Sequence, residues 1–115
     1  MTVSALVAAL DHGGALDGAD HVGEAIAEGR LVRIAVWTDA ARILRVRWKA
    51  STCPSLMAYA ELACRLLESG AALSSLDHAL RDGVAGVHPS HRRRADLVVS
   101  AARAALTPRT QRGSP

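Results

Sequence analysis

The fold of this chain is decided by the stretch Val46-Arg-Trp-Lys-Ala-Ser-Thr-Cys-Pro-Ser-Leu-Met-Ala-Tyr-Ala-Glu-Leu-Ala-Cys-Arg-Leu-Leu-Glu-Ser-Gly70. It begins with alternating apolar and charged residues, which is typical of a half-buried strand, and continues as an apolar helix of about four turns. Proline suits the first helical position, so Pro54 predicts that Cys53 caps this helix. Free N–H groups and the helix dipole would there favour a reactive thiolate. A buried cysteine that only packs is the alternative.

An antiparallel hairpin is predicted just before this helix, from strands over residues 31–37 and 42–49. Both strands alternate, so apolar side chains collect on one face. A turn centred on residues 39–41 gives a register that pairs Val36 with Leu44, Ile34 with Val46, and Val32 with Trp48. A third strand is predicted around Val22–Ile26, and a last helix from Pro89 to Leu106.

Two groups of basic residues stand out as candidate partner-binding sites. The polar face of the hairpin carries Arg33, Arg45, Arg47 and Lys49. It is either a solvated sheet face or a docking surface for an acidic partner. Arg92, Arg93 and Arg94 fall in the first turn of the last helix, where cations are mildly unfavourable. They are either a solvated charge run or an anion site that also stabilises a thiolate.

Three segments, in this order, resemble the U-type iron–sulfur cluster assembly scaffold family, which includes the NifU N-terminal domain and the IscU-like proteins. Asp17-Gly-Ala-Asp-His-Val-Gly23 resembles the family's early loop. The strand, Cys53 and the helix ending in Glu68-Ser-Gly70 resemble its central motif. His88-Pro-Ser-His-Arg-Arg-Arg-Ala-Asp-Leu97 resembles the segment that opens its last helix. The resemblance covers residues 5–106. It implies an α+β fold with a small antiparallel three-stranded sheet and helices packed on one face.

The chain is a divergent match to this family, because most of the family's cluster ligands are missing. The resemblance implies three cysteines, a nearby aspartate and sometimes a histidine, yet only Cys53 is retained. Residues 24–30 lack the first cysteine, Arg94 takes the histidine position, and Ala95 takes that of the last cysteine. A cluster or a zinc ion needs about four ligands. Cys53 is therefore at most a relict metal ligand, and a cluster or zinc is expected only with ligands from another chain.

Cys64 cannot complete the missing ligand set. It lies in the same predicted helix as Cys53, about 16 Å away along the helix axis. This separation is too long for a disulfide, which requires Cα atoms within about 7 Å, or for a shared metal ion. Two unpaired cysteines indicate a reducing cytoplasm.

Length and composition exclude several classes of protein. The 115 residues predict one domain, residues 1–106, followed by a polar disordered tail, residues 107–115. No apolar run approaches the roughly 18–20 residues that span a bilayer, and the N-terminus does not resemble a signal peptide. The net charge is +3, and two tryptophans and one tyrosine offer few rings for stacking on bases. We therefore expect a cytoplasmic protein that binds neither membranes nor nucleic acid.

The predicted function is an accessory role in iron–sulfur cluster or sulfur handling through protein–protein contact. The resemblance implies a cysteine desulfurase or an iron–sulfur client as the partner, with Cys53 accepting sulfur as a persulfide. The alternative is a non-catalytic binding module, or a subunit of a larger complex, that keeps the fold without metal chemistry. An enzyme with Cys53 as nucleophile is less favoured, because it needs a nearby general base and only His88 or His91 is a plausible one.

Overall fold

Three strands, paired in chain order, form a single antiparallel sheet in the computed structural model, which describes residues 1–107. The elements are α1 Val3–Val7, β1 His21–Ala27, β2 Arg30–Asp39, β3 Arg42–Ala50, α2 Pro54–Glu68, α3 Leu76–Gly83 and α4 Arg94–Leu106, with 3₁₀ turns at Leu73–Ser75 and Pro89–His91. This is the predicted α+β fold. The predicted disordered tail falls, from residue 108 onward, outside the described residues.

The hairpin of β2 and β3 exists, but its predicted register is wrong by two residues. Val36 pairs with Val46, Ile34 with Trp48, and Val32 with Ala50. The turn, at residues 40–41 rather than 39–41, accounts for one residue of the shift, and a bulge opposite Trp37 and Thr38, which leaves Leu44 unpaired in β3, accounts for the other. As a shift of two residues preserves the face, Val46 and Trp48 still point into the core, whereas Leu44 is exposed rather than buried.

The core lies between one face of the sheet and two long helices. Helix α2 packs on β3, and α4 packs on β1 and β2. Gly23 in β1 makes the second contact possible, because a Cβ at this position would overlap the Ala101 carbonyl oxygen and the Ala105 amide nitrogen of α4. The absence of a side chain therefore lets the strand and the helix approach backbone to backbone.

The two helices begin differently from each other. Helix α2 starts at Pro54, as the sequence predicts. Helix α4 starts only at Arg94, because Pro89–His91 forms a separate 3₁₀ turn in front of it. The buried residues of α4 are Ala95, Leu97, Val98, Val99, Ala101, Ala102 and Ala105. Among residues 1–107, no helix is both long and apolar enough to cross a membrane.

Candidate functional site

Cys53 lies where β3 has ended and α2 begins. Its backbone is extended, and its carbonyl oxygen accepts the first helical hydrogen bond, from the Met57 N–H at 2.9 Å. The cap position predicted for Cys53 is therefore observed. Its sulfur accepts no hydrogen bond from the free N–H groups of the helix. The residue is 8% exposed and its thiol is free, so only a small part of it meets solvent.

His91 is brought to the same end of α2. The Ser55 Oγ lies 3.3 Å from His91 Nδ1, which joins the first turn of α2 to the 3₁₀ turn before α4. Desolvation and the positive charges of Arg94 and its neighbours lower the pKa of His91. The imidazole is accordingly neutral near pH 7 and can accept a proton. The ring of His88, 5.6 Å away, accepts the Ser90 N–H within its own turn instead.

The donors near Cys53 do not fit a resident cluster or zinc ion. Residues 1–107 contain no group of three or more His, Cys, Asp or Glu side chains placed to hold a metal ion. A structural zinc site needs about four such ligands, and a cluster needs a similar number. That a cluster or zinc ion would need ligands from another chain stays a prediction.

The three arginines before α4 occupy different environments. Arg92 and Arg93 are exposed, and Arg93 lies 3.9 Å from the Glu28 carboxylate in the turn after β1. Arg94 is half-buried, and its Nη1 is shielded from solvent without a hydrogen-bond partner among residues 1–107. The run is therefore not a uniform solvated patch.

The basic face of the sheet is partly neutralised. Arg33 forms an ion pair with Glu24 at 2.6 Å, and Arg47 with Glu68 at 2.8 Å. Arg45 lies over the ring of Trp37, with its guanidinium carbon 4.3 Å from the ring centroid, in a cation–π contact. Arg45 and Lys49 remain exposed. Arg33 is exposed as well, so of the four basic residues on this face Arg45 and Lys49 are the exposed ones without a carboxylate partner among residues 1–107.

The sequence analysis missed a buried carboxylate on α2. The Glu61 side chain is fully buried, and four donors surround it. It accepts hydrogen bonds from the His12 backbone N–H at 2.9 Å, the Trp48 indole N–H at 3.1 Å and the Arg65 Nε at 2.8 Å, and it contacts the His12 ring at 2.6 Å. Burial raises the pKa of Glu61, but these hydrogen bonds outweigh it and hold the pKa below its ordinary value. Glu61 is therefore ionised at neutral pH.

Glu68 extends this network to the edge of the sheet. Its carboxylate accepts the Val46 backbone N–H at 2.7 Å and contacts the second ring nitrogen of His12 at 2.9 Å. The next outward N–H of the same strand, that of Trp48, is bound by the His12 carbonyl at 3.0 Å. These contacts cover the edge of β3, which would otherwise be open for pairing with another chain.

One sequence signal could have identified the network. Glu61, Arg65 and Glu68 recur at spacings of four and three along an otherwise apolar helix, which places them on one face. Charged residues on the core side of a helix need partners. Nothing in the local pattern identifies His12 as that partner, because it lies in a loop far away in the sequence.

Cys64 has the properties of a packing residue. It is fully buried in α2. Burial, with a smaller contribution from the negative charges of Glu61 and Glu68, raises the pKa of its thiol well above the ordinary value. It therefore stays protonated at neutral pH and is a poor nucleophile and metal ligand.

Comparison with solved structures identifies the same fold elsewhere. A protein from the thermophile Fervidobacterium islandicum AW-1, assigned as an iron–sulfur cluster assembly scaffold for the SUF system, superposes with a TM-score of 0.71 at 13% identity, over 91% of this chain and 93% of that one. A hypothetical protein superposes with a TM-score of 0.53 at 18% identity, over 93% and 85%. No family model matches the chain, and no curated protein matches its sequence. The predicted fold-level relationship to the scaffolds is confirmed.

Proposed function

We propose that this protein acts in iron–sulfur cluster or sulfur handling by contact with a partner protein, rather than by building a cluster on its own residues. One combined observation supports this proposal. The fold matches that of an iron–sulfur scaffold over nearly the whole of both chains, while residues 1–107 offer no group of donors that could hold a metal ion. A protein that has the scaffold fold but lacks the cluster ligands still has the outer surface of that fold, and it can contact a partner protein through this surface.

The proposed partner is a cysteine desulfurase or an iron–sulfur client protein, and the proposed docking residues are Arg45 and Lys49. Both side chains are exposed on the sheet face that the helices leave uncovered. Leu44, which precedes Arg45 in the chain, is also exposed. A basic surface of this kind attracts an acidic partner and accelerates association.

Sulfur transfer to Cys53 is the finer proposal. In this step the Cys53 thiolate attacks the outer sulfur of a persulfide on the desulfurase. A new S–S bond forms on Cys53, the S–S bond on the desulfurase breaks, and the desulfurase cysteine leaves as a thiolate. The placement of Cys53 at the start of α2 supports this step, and His91, which contacts Ser55 in the first turn of the same helix, is the proposed acceptor of the thiol proton. Because Cys53 is only 8% exposed, the partner's persulfide must reach the small part of this residue that is open to solvent.

The test uses the purified full-length chain, a cysteine desulfurase from the same genome, and cysteine. Complex formation is measured by native mass spectrometry, and the Cys53 and Cys64 peptides are inspected for the added mass of one sulfur atom. We expect a complex, with sulfur on Cys53 only. Cys53→Ser should abolish the added sulfur, and Cys64→Ser should not.

A double charge reversal tests the docking face. Arg45→Glu combined with Lys49→Glu should weaken the complex at low salt, whereas Arg103→Glu on the exposed side of α4 should not. If a complex forms but Cys53 gains no sulfur, the proposed contact with a partner stands and the proposed sulfur transfer is overturned. Failure to bind either a desulfurase or an apo iron–sulfur client would overturn the proposal, and the non-catalytic module would then be the better description.

A further inference from the structure

A cavity of about 400 Å³ lies between β1 and the start of α4. One wall is formed by the end of β1 and the turn that follows, residues 25–28 together with Arg30. The other wall is formed by Ser90 and by Arg93, Arg94, Asp96, Leu97 and Ser100 at the start of α4. This volume is within the range of small-molecule sites, which is about 300–1,000 Å³. Cys53 and His91 do not line the cavity, although Arg93 and Arg94 do.

The charges that line the cavity are predominantly positive. Three arginines contribute to the walls, against two carboxylates. The carboxylates are turned toward solvent, since the Asp96 side chain is 61% exposed and bound by Arg81, and the Glu28 side chain is 70% exposed opposite Arg93. Arg30 donates only to the Glu28 carbonyl, at 3.3 Å. Each of the two carboxylates that line the cavity therefore already has an arginine partner.

Arg94 is the residue on which the site depends. Its side chain lines the cavity, forms no ion pair with any of residues 1–107, and has one guanidinium nitrogen shielded from solvent without a partner. An anion that enters the cavity can therefore pair with this guanidinium without displacing a carboxylate of residues 1–107. Guanidinium groups bind phosphate oxygens through two parallel hydrogen bonds. The hydroxyls of Ser90 and Ser100 add donors on the same walls.

We infer that this cavity binds a small phosphate monoester, with the phosphate on Arg94 and Arg30 and the body of the molecule against Ala25, Ala27 and Leu97. The two lining arginines that form no ion pair with residues 1–107, Arg94 and Arg30, match a group that carries about −1.5 to −2 at neutral pH better than a single carboxylate. The apolar residues favour a ligand with an apolar body over a bare ion. The inference goes beyond the proposed function and does not depend on it.

The test is an NMR titration of the full-length chain, labelled with ¹⁵N, with phenyl phosphate as the probe. We expect saturable shifts at Ala25, Ala27, Leu97 and Ser100, weaker ones with inorganic phosphate, and none with phenol. Arg94→Gln should weaken phenyl phosphate binding by about tenfold or more, because it removes a charge-assisted pair. Arg103→Gln, on the same helix outside the cavity, should leave it unchanged.

A second variant guards against misfolding of the first. Ser100→Leu places a larger side chain in the cavity without changing its charge, and it should also abolish the shifts. The inference is overturned if phenyl phosphate gives no saturable shift, if it binds Arg94→Gln and Ser100→Leu as tightly as the unmodified protein, or if the shifts map to Cys53 and His91. None of these measurements uses a desulfurase, so their failure is separate from failure of the proposed function.

Discussion

The Glu61 carboxylate lies 2.6 Å from the ring of His12, in contact with a loop that precedes the sheet in the chain. This contact joins α2 to the loop covering the edge of β3. Because the Glu61 side chain is fully buried, water cannot take its place as hydrogen-bond acceptor when the carboxylate is removed. We therefore expect Glu61→Ala to destabilise the protein by roughly 3–5 kcal/mol, the cost of leaving buried charged and polar partners unpaired. Urea unfolding measures the change.

The matched control for Glu61 is Glu24, whose ion pair with Arg33 is largely exposed. Glu24→Ala should cost about 0–1 kcal/mol, since water replaces the lost partner. Equal losses in the two variants would contradict the structural role of the buried network.

Acid should unfold the protein through the same carboxylates. Hydrogen bonds hold the pKa of both Glu61 and Glu68 below the ordinary value of 4.5, despite the opposing effect of burial. For groups whose pKa is lower in the folded state, the stabilisation is complete above the unfolded-state value and is lost as pH falls through the folded-state value. Urea midpoints should therefore be steady down to about pH 5 and fall below it.

Glu68→Gln checks this pH dependence. It removes one of the two titrating groups, so the loss of stability in acid should be shallower than in the unmodified protein, from a lower starting value. A stability that rises as pH falls from 5 toward 3 would show that the sign is wrong, because protonation would then favour the folded state.

The contact between Gly23 and α4 predicts a second site of high sensitivity. An alanine Cβ would meet backbone atoms of Ala101 and Ala105, and backbone cannot yield as a flexible side chain can. Gly23→Ala should lower stability by about 3 kcal/mol or more, at the upper end of overpacking costs. Gly14→Ala is the control, since nothing lies within 4 Å of its added Cβ. Thermal melts should separate the two variants clearly; similar melts would show that β1 and α4 do not pack this closely.

The hairpin shows what sequence patterns determine and what they leave open. Alternation of apolar and charged residues identified both strands and the face that Val46 and Trp48 occupy, because side-chain direction depends only on a period of two. The register depends on a two-residue turn at 40–41 and on a bulge that leaves Leu44 unpaired in β3, and neither is visible in the alternation of the strands. Leu44 fits the apolar alternation of its strand and is nevertheless exposed, because it lies at the bulge.

The site was less predictable than the fold. The capping position of Cys53 follows from the adjacent Pro54, which is local information. The Ser55–His91 contact and the Glu61–His12 pair join residues that are far apart in sequence, and only tertiary packing brings them together. The cavity beside Arg94 likewise forms between a strand and a helix from opposite ends of the chain.

Aspartate substitutions test the corrected register directly. Leu44→Asp should change stability by less than about 1 kcal/mol, because this side chain is 57% exposed and the charge stays in water. Val46→Asp, at a fully buried position, should unfold the domain by burying an unpaired charge. Circular dichroism distinguishes the outcomes. Unfolding by both substitutions would instead support the register that pairs Val36 with Leu44.

The last prediction concerns the two thiols. Cys64 is fully buried, and burial raises the pKa of its thiol, so both its access and its thiolate fraction are low. Cys53 is 8% exposed to solvent and lies at the N-terminal start of α2. Iodoacetamide near neutral pH should therefore label Cys53 first in the folded protein, with Cys64 labelled only on unfolding, as read by peptide mass spectrometry. In urea the two rates should converge. If neither thiol reacts before the protein unfolds, Cys53 is a packing residue, and persulfide transfer is ruled out as the function of this end of the fold.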